Sequence, residues 1–215
     1  MVGKSIYDFY IRKWAGVDPN NGNPLWYTTD STGKTTTTSV YARGSQYYVG
    51  SSLPAVVGGI TNTFRYQGIE LNFLFTYSLG GKVLDLDYVS MLTGGASPGR
   101  NFSTELLDSW TPQHTNTNVP RMTTDDLGWT STSTRLLYSA TYGRLKNLTL
   151  AYHIPLPAAW KQNEYIRDIR LYVTGENLLT FYKHQGMDPE QSVGGTTYYQ
   201  YPAMRTFSVG AQFGF

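Results

Sequence analysis

The sequence predicts an all-β fold, an antiparallel segment of a transmembrane β-barrel with about six strands and long extracellular loops. Three observations favour this class. Several stretches of about ten residues alternate apolar and polar side chains, as a strand does when its two faces meet different environments. Only 15 % of the residues are charged, while aromatic residues make up another 15 % and include 18 Tyr. Long irregular loops alternate with short turns along the chain, as in outer-membrane barrels.

The closing stretch, residues 206–215, alternates most clearly. Its apolar residues fall on one face of a strand, and its polar or small residues fall on the other: Phe207, Val209, Ala211, Phe213 and Phe215 against Ser208, Gly210, Gln212 and Gly214. A tilted strand needs about ten residues to cross the hydrocarbon of a bilayer. We therefore expect this strand to cross the membrane with its apolar face toward lipid.

A first crossing strand is predicted at residues 5–14, where Tyr7, Phe9 and Ile11 share one face. Residues 18–53 are rich in turn formers and are predicted to be a long surface loop that carries its own hairpin.

A β-hairpin is predicted at residues 59–79, because two alternating runs are separated only by Gln67-Gly68. The face that bears Phe73, Phe75 and Tyr77 is continuous and apolar. Such a face must meet lipid or a second sheet.

Regular alternation stops between residues 80 and 133. A short helix, capped by Ser103, is predicted within this stretch. It resumes in two strands at residues 147–154 and 169–176, and a third loop spans residues 182–202. If the closing strand ends in the periplasm, the three long loops lie outside the cell and the short turns lie inside.

Composition excludes several classes of function. The net charge is only +2 and cysteine is absent, so neither a nucleic-acid surface nor thiolate chemistry is expected. His114, His153 and His184 lie far apart in no catalytic motif, so we expect no enzyme, cofactor or metal centre. The run from Asp18 to Asn23 has oxygen side chains spaced like a calcium loop, but it lacks the closing Glu, and a plain turn is favoured.

Several motifs together resemble the C-terminal part of the SusC/RagA family of TonB-dependent outer-membrane transporters. They occur in family order and cover nearly the whole chain: Lys13-Trp14-Ala15-Gly16-Val17-Asp18-Pro19, Gly22-Asn23-Pro24-Leu25-Trp26-Tyr27, Gly50-Ser51-Ser52-Leu53-Pro54, Tyr77-Ser78-Leu79-Gly80-Gly81-Lys82, Trp110-Thr111-Pro112, Asn118-Val119-Pro120-Arg121, Arg144-Leu145-Lys146-Asn147-Leu148, Gly175-Glu176-Asn177-Leu178-Leu179-Thr180, Gly186-Met187-Asp188-Pro189-Glu190 and Tyr201-Pro202.

The resemblance implies that residues 1–215 are the C-terminal portion of a barrel of about 22 strands with a plugged lumen. The plug and the N-terminal strands have no counterpart here, and no secretion signal opens the chain. The family imports glycans or peptides across the outer membrane together with a SusD-like surface lipoprotein, and contacts the TonB complex through its N-terminal part. The resemblance also implies that Phe213 and Phe215 form a signal for barrel assembly, with the C-terminus on the periplasmic side.

Four aromatic residues in the predicted loops are candidates for contact with a sugar, a peptide or a partner protein: Trp26, Tyr27, Tyr198 and Tyr199. The alternative is that they belong to the aromatic girdle at the membrane surface. A second reading of the whole chain stays open, that of a secreted, soluble β-sandwich that binds carbohydrate through exposed aromatic residues.

Overall fold

A computed structural model describes residues 2–93, 99, 101–157, 166–184, 186–191, 193–197 and 199–215. The prediction of an all-β, antiparallel fold is confirmed, since the extended elements of these residues are β-strands and their helical turns are short 3-10 helices. No helix within the described ranges is long and apolar enough to cross a membrane. The chain divides into two compact units.

The first unit, here called the sheet unit, comprises Pro54–Gly80, Ala140–Glu190 and Tyr201–Phe215. Its strands form one antiparallel sheet in the order β12-β11-β10-β7-β6. Chain neighbours lie side by side, as in an up-and-down barrel wall. The strands are β6 (Val56–Tyr66), β7 (Ile69–Leu79), β10 (Tyr142–His153), β11 (Asp168–Tyr182) and β12 (Thr206–Gly214).

The predicted hairpin between β6 and β7 is confirmed, with Gln67 and Gly68 as its two-residue turn. Gln67 has φ 47° and Gly68 has φ 83°. Positive φ at both positions is typical of the type I′ turn, whose twist matches that of the flanking strands. The turn is held to the next strand as well, because the amide of His153 donates to the carbonyl of Gly68 at 2.7 Å.

Cross-strand pairing gives the sheet two chemically different faces. On the apolar face, Leu71 of β7 pairs with Leu150, Leu150 pairs with Val173, and Val173 pairs with Val209. The row one step along on the polar face contains Asn72, Thr149, Thr174 and Ser208. Because side chains alternate along every strand, this contrast repeats over the length of the sheet.

A β-bulge interrupts β10. Pairing with β7 and with β11 shifts register between Leu145 and Asn147, which leaves Lys146 as an extra residue opposite β7. The bulge shifts the alternation of side chains along β10 by one residue. Apolar residues stand at odd positions before Lys146 and at even positions after it, yet both sets lie on the apolar face.

The second unit, here called the loop unit, comprises Met1–Leu53, Gly81–Ser139 and Gln191–Gln200. It contains small sheets: β1 (Asp8–Arg12) with β5 (Gln46–Ser51), β2 (Trp14–Val17) with β3 (Pro24–Thr29) and β4 (Thr35–Thr38), and β8 (Lys82–Leu84) with β9 (Leu137–Ser139). Its 3-10 helices span Tyr41–Arg43, Tyr88–Met91, Thr104–Asp108 and Thr134–Leu136.

Two predictions about this unit are confirmed. Residues 18–53 carry their own hairpin, formed by β3 and β4. The hydroxyl of Ser103 caps the helix Thr104–Asp108 by accepting from the amide of Glu105 at 3.2 Å. The helix is a 3-10 helix of five residues.

The prediction that residues 5–14 form a crossing strand of the barrel sheet is wrong in its partner. β1 forms within residues 5–14, but it pairs with β5 of the loop unit, so the described part of the main sheet has five strands where about six were expected. The reason is packing, since Ile11 is only 9 % exposed and belongs to the core of the loop unit. Alternation identifies a strand but does not identify its partner.

The loop unit also has more order than the sequence predicted. Eight buried apolar residues form its core: Ile11, Trp26, Leu84, Leu92, Leu106, Val119, Trp129 and Leu136. Apart from Ile11, these residues come from segments that lack a two-residue period, so the sequence pattern predicts irregular loop there.

Candidate functional surfaces

Trp26 lies inside the loop unit and has no exposed surface. Its ring meets the edges of Trp14 at 5.9 Å and of Tyr41 at 5.4 Å between centroids. The prediction that Trp26 presents its ring to a ligand is therefore wrong for this structure, and a place in the membrane girdle does not fit either. The buried indole instead fixes the packing of β2 against β3, whose residues Trp14 and Trp26 are cross-strand partners.

The other three predicted aromatic residues differ from one another. Tyr27 is half-buried, and the ammonium of Lys13 lies 5.1 Å from the centre of its ring. Tyr199 is 77 % exposed, and its amide donates to Oδ2 of Asp87 at 2.8 Å. Tyr198 lies outside the described residues. A fixed backbone and a free ring suit Tyr199 for contact with a ligand or a partner.

The segment around Tyr199 is anchored to β8. The amide of Leu84 donates to the carbonyl of Gly195, and the amide of Thr197 donates to the carbonyl of Leu84. The hydroxyl of Thr197, which is 2 % exposed, contacts Oδ1 of Asp85 at 3.1 Å. These contacts hold Gly195 and Thr197 to β8 and Asp85, and the exposed ring of Tyr199 lies two residues further along the chain.

The run from Asp18 to Asn23 is a turn. Oδ1 of Asp18 accepts from the backbone and side-chain nitrogens of Asn20, and Oδ2 accepts from Nδ2 of Asn21. Amide donors thus occupy the oxygens that a cation would need. The described residues contain no group of His, Asp or Glu side chains spaced to hold a metal ion.

The polar face of the sheet unit carries a buried ion cluster that the sequence analysis did not find. Arg144, with 3 % of its side chain exposed, donates to Oδ1 of Asp188 at 2.5 Å and to Oε2 of Glu190 at 3.0 Å. Lys146 donates to both oxygens of Glu190, at 2.8 and 3.0 Å. Two strand cations therefore hold two carboxylates from the segment that follows β11.

Asp188 is held by backbone groups as well. The amide of Ala203 donates to its Oδ2, and the amide of Glu190 donates to its Oδ1. Burial opposes ionisation, but these amides and the guanidinium of Arg144 outweigh it and leave the pKa of Asp188 below its usual 3.8. The carboxylate thus ties β10 to the chain just before β12.

A second charged cluster occupies the opposite end of the polar face. Oε1 of Glu70 accepts from Arg170 at 3.0 Å, and Oε2 accepts from Arg65 at 2.7 Å. His153 and Asp168 lie beside them, 3.2 Å apart between Nδ1 and Oδ1. A sheet face lined with paired charges at both ends suits a wall exposed to water.

The apolar face is exposed despite its composition. Val209 is 82 % exposed, Phe207 71 %, Phe64 56 % and Phe213 52 %. An exposed apolar surface of this extent marks contact with a membrane or another protein.

The C-terminal residues belong to β12, which lies at one edge of the sheet that the described residues form. β12 pairs with β11 along its whole length, and Phe213 lies opposite Ile169 on the apolar face. Phe215 follows the strand and is 78 % exposed. Both predicted members of the assembly signal are therefore accessible to another molecule.

Sequence reasoning missed the ion cluster because its members are far apart in the chain. Arg144 and Asp188 are separated by 44 positions. The sequence did contain a signal. Arg144 and Lys146 are two residues apart, at the point where the apolar alternation of β10 shifts by one residue. Asp188-Pro189-Glu190 places two acidic residues beside a turn-forming proline.

Comparison with known proteins gives one consistent result. Two TonB-dependent receptors of Formosa agariphila are similar in sequence: receptor P3 is 30 % identical over 234 residues covering 97 % of this chain, and receptor P26 is 29 % identical over 146 residues covering 67 % of it. No family model matches the sequence.

Solved structures agree with the sequence matches. The RagAB peptide importer in its closed-closed state has a TM-score of 0.80 and 32 % identity over 95 % of this chain. The structure described as the RagAB peptide transporter has a TM-score of 0.78 and 31 % identity over 96 % of the chain. These matches confirm the resemblance that the motifs predicted.

The chain spans only part of these relatives. It covers 22 % of receptor P3, 14 % of receptor P26 and 22 % of the matched RagAB chain.

Proposed function

Because this chain matches TonB-dependent receptors of the SusC/RagA type over nearly its whole length, we propose that it forms part of the barrel wall of an outer-membrane importer of glycans or peptides. The observation that carries the proposal is the two-faced sheet. One face is apolar and exposed, and the other carries the charged clusters of Arg144 and of Glu70. The apolar face meets lipid, and the polar face lines the water-filled lumen.

The proposal includes a larger barrel. In the described part of the sheet unit, β6 and β12 each have one neighbouring strand, so each has an unpaired edge. Unpaired backbone groups in a bilayer cost several kcal/mol each. Further strands must therefore pair with these edges, and the rest of the barrel supplies them around a plugged lumen. The chain alone does not transport, and its coupling to the TonB complex runs through the other parts.

The loop unit is the part that meets the substrate and a SusD-like surface lipoprotein. This proposal is supported by the position of two of its segments, Gly81–Ser139 and Gln191–Gln200, between strands of the sheet unit, and by exposed aromatic groups such as Tyr199. Tyr27 and Tyr198 belong to the same proposal. The periplasmic position of the C-terminus, with Phe213 and Phe215 as the assembly signal, completes the orientation.

Fractionation of cells that make the protein tests the membrane assignment. We expect the chain in the outer-membrane fraction and soluble only with detergent. A protein that stays monomeric and folded in plain buffer would favour the soluble carbohydrate-binding β-sandwich. Uptake of a labelled oligosaccharide or peptide tests transport, and uptake by cells that contain only these residues would contradict the proposed need for a larger barrel.

A further inference from the structure

An open groove of about 730 Å³ crosses the apolar face of the sheet unit. One wall is a row of cross-strand neighbours: Ile69, Tyr152, Leu171 and Ala211. The opposite wall is the neighbouring row: Leu150, Val173 and Val209. The groove therefore runs across the strands, from β12 toward β7.

The floor of the groove is backbone. It is formed at Ala151, Tyr172 and Gly210, which are cross-strand neighbours and lie between the two walls. Their side chains alternate to the polar face, so they add no bulk on this side. The wall is lowest at Ala211, the smallest side chain among the wall residues.

The dimensions and chemistry of the groove restrict what can occupy it. Neighbouring same-face rows are separated by two residues of strand rise, roughly 7 Å, whereas a helix with its side chains is about 10 Å wide. A partner helix cannot enter, but an unbranched hydrocarbon chain can. The wall side chains carry no charge, and the phenol of Tyr152 is their one polar group.

We propose that this groove is a binding site for one acyl chain of a membrane lipid. The proposal rests on the proposed function, because the apolar face must lie in the bilayer. A lipid tail gains little from leaving other tails for an equally apolar wall. A chain that stays in the groove is therefore held by close packing between two rows of side chains.

The direction of the groove is consistent with this occupant. Strands of outer-membrane barrels tilt by about 35 to 45° from the membrane normal. A groove that runs across such strands is inclined to the normal by roughly the complementary angle, so a lipid tail can follow it after bending from its headgroup.

A photoreactive lipid tests the proposal directly. The protein purified from outer membranes is placed in phosphatidylcholine vesicles that contain a phospholipid with a diazirine on one acyl chain, and adducts are mapped by mass spectrometry. We expect several-fold more adducts at Leu150 and Val173 than at Ile60 and Phe64. All four residues are similarly exposed on the apolar face, at 52, 47, 54 and 56 %.

A matched pair of variants sharpens the test. Ala211→Trp fills the groove and should reduce labelling of Leu150 and Val173 to the level of Ile60. Val56→Trp also places a tryptophan on the same face but outside the groove, since Val56 pairs with Leu79 on β7, and should leave the labelling unchanged. The mapping of the unmodified protein decides the question even if a variant does not fold.

The outcomes separate the groove from the membrane assignment. Equal labelling of all four residues in a vesicle-bound protein would overturn the lipid site and leave the proposed function intact. Adducts between protein copies at the groove, in place of lipid adducts, would also overturn it. A chain that stays in the aqueous phase without adducts would overturn both proposals.

Discussion

The ring of Tyr172 lies over Gly210, its directly opposed partner on the neighbouring strand. A Cβ atom built on Gly210 would fall 2.4 Å from Cζ of Tyr172. An aromatic ring that covers a glycine on an adjacent strand replaces the side-chain contact that glycine lacks. The same arrangement recurs on the apolar face, where a Cβ on Gly58 would fall 2.5 Å from the hydroxyl of Tyr77.

The first prediction is that Gly210→Ala destabilises the sheet by about 1 to 3 kcal/mol, the range for overpacking. The added methyl would fall within 3 Å of Cζ, the hydroxyl and Cε1 of Tyr172, so the far end of the ring must shift. Urea unfolding from lipid vesicles measures the change. Gly214→Ala is the matched control on the same strand, because its Cβ would meet Asp168 at an ordinary 3.5 Å. Equal losses in both variants would contradict the prediction.

The second prediction concerns the two faces of β12. Val209→Arg should cost about 2 to 4 kcal/mol if its side chain faces lipid near mid-depth, and Ser208→Arg on the lumen face should cost far less. Both residues are exposed, so burial within the protein does not explain a difference. Vesicle-based unfolding measures both. Equal penalties would refute the assignment of the faces. Phe73 and Phe213 lie on the same face as Val209, and replacing either with Arg should carry a similar penalty.

The third prediction concerns the buried ion cluster. Arg144→Met should destabilise the protein by about 3 to 5 kcal/mol, because it leaves the buried carboxylate of Asp188 without its cation, whereas Glu190 keeps Lys146. Lys146→Met should cost less, since the Lys146 side chain is 33 % exposed. Combining Arg144→Met with Asp188→Asn should recover part of the loss. Strictly additive costs would show that the two residues do not interact.

The fourth prediction is a pH dependence. The folded pKa of Asp188 is lower than its ordinary 3.8, so the stabilisation is fully present above that value and is lost as pH falls through the lower folded pKa. Unfolding measured between neutral and acid pH should show this loss, and Asp188→Asn should reduce it. If Asp188→Asn lost as much stability at acid pH as the unmodified protein, the pH dependence could not be attributed to Asp188.

The fifth prediction separates a core aromatic residue from an exposed one. Trp26→Ala should cost about 3 to 5 kcal/mol, as large core truncations do. Tyr199→Ala should change stability by no more than about 0.5 kcal/mol, as most surface substitutions do. If Tyr199 contacts substrate or the lipoprotein, its loss should weaken uptake or complex formation. Unchanged uptake and complex formation would remove Tyr199 from the proposed contact surface.

Alternation and turn chemistry predicted much of the sheet unit. A period of two distinguishes the faces of β7 and β12, and Gln67-Gly68 marks the hairpin, because both signals are local. The partner of β1 could not be predicted, since strand pairing depends on which distant segment covers Ile11. Trp26 was misjudged for a similar reason. Its neighbours form a packed core from segments that are distant in sequence, and a turn-rich composition hides that core.

The bulge at Lys146 has a consequence for how this wall can change length. Lys146 is the residue that pairing with β7 leaves over, so its deletion would join Leu145 to Asn147 and leave every other side chain of β10 on its present face. Deletion of Thr149 would instead turn half the strand over and direct polar residues onto the apolar face. Against β11, the pairing already places Asn177 and Leu178 opposite Lys146 alone, so this deletion keeps the faces of β10 but enlarges the bulge on β11. It also removes the second cation from Glu190.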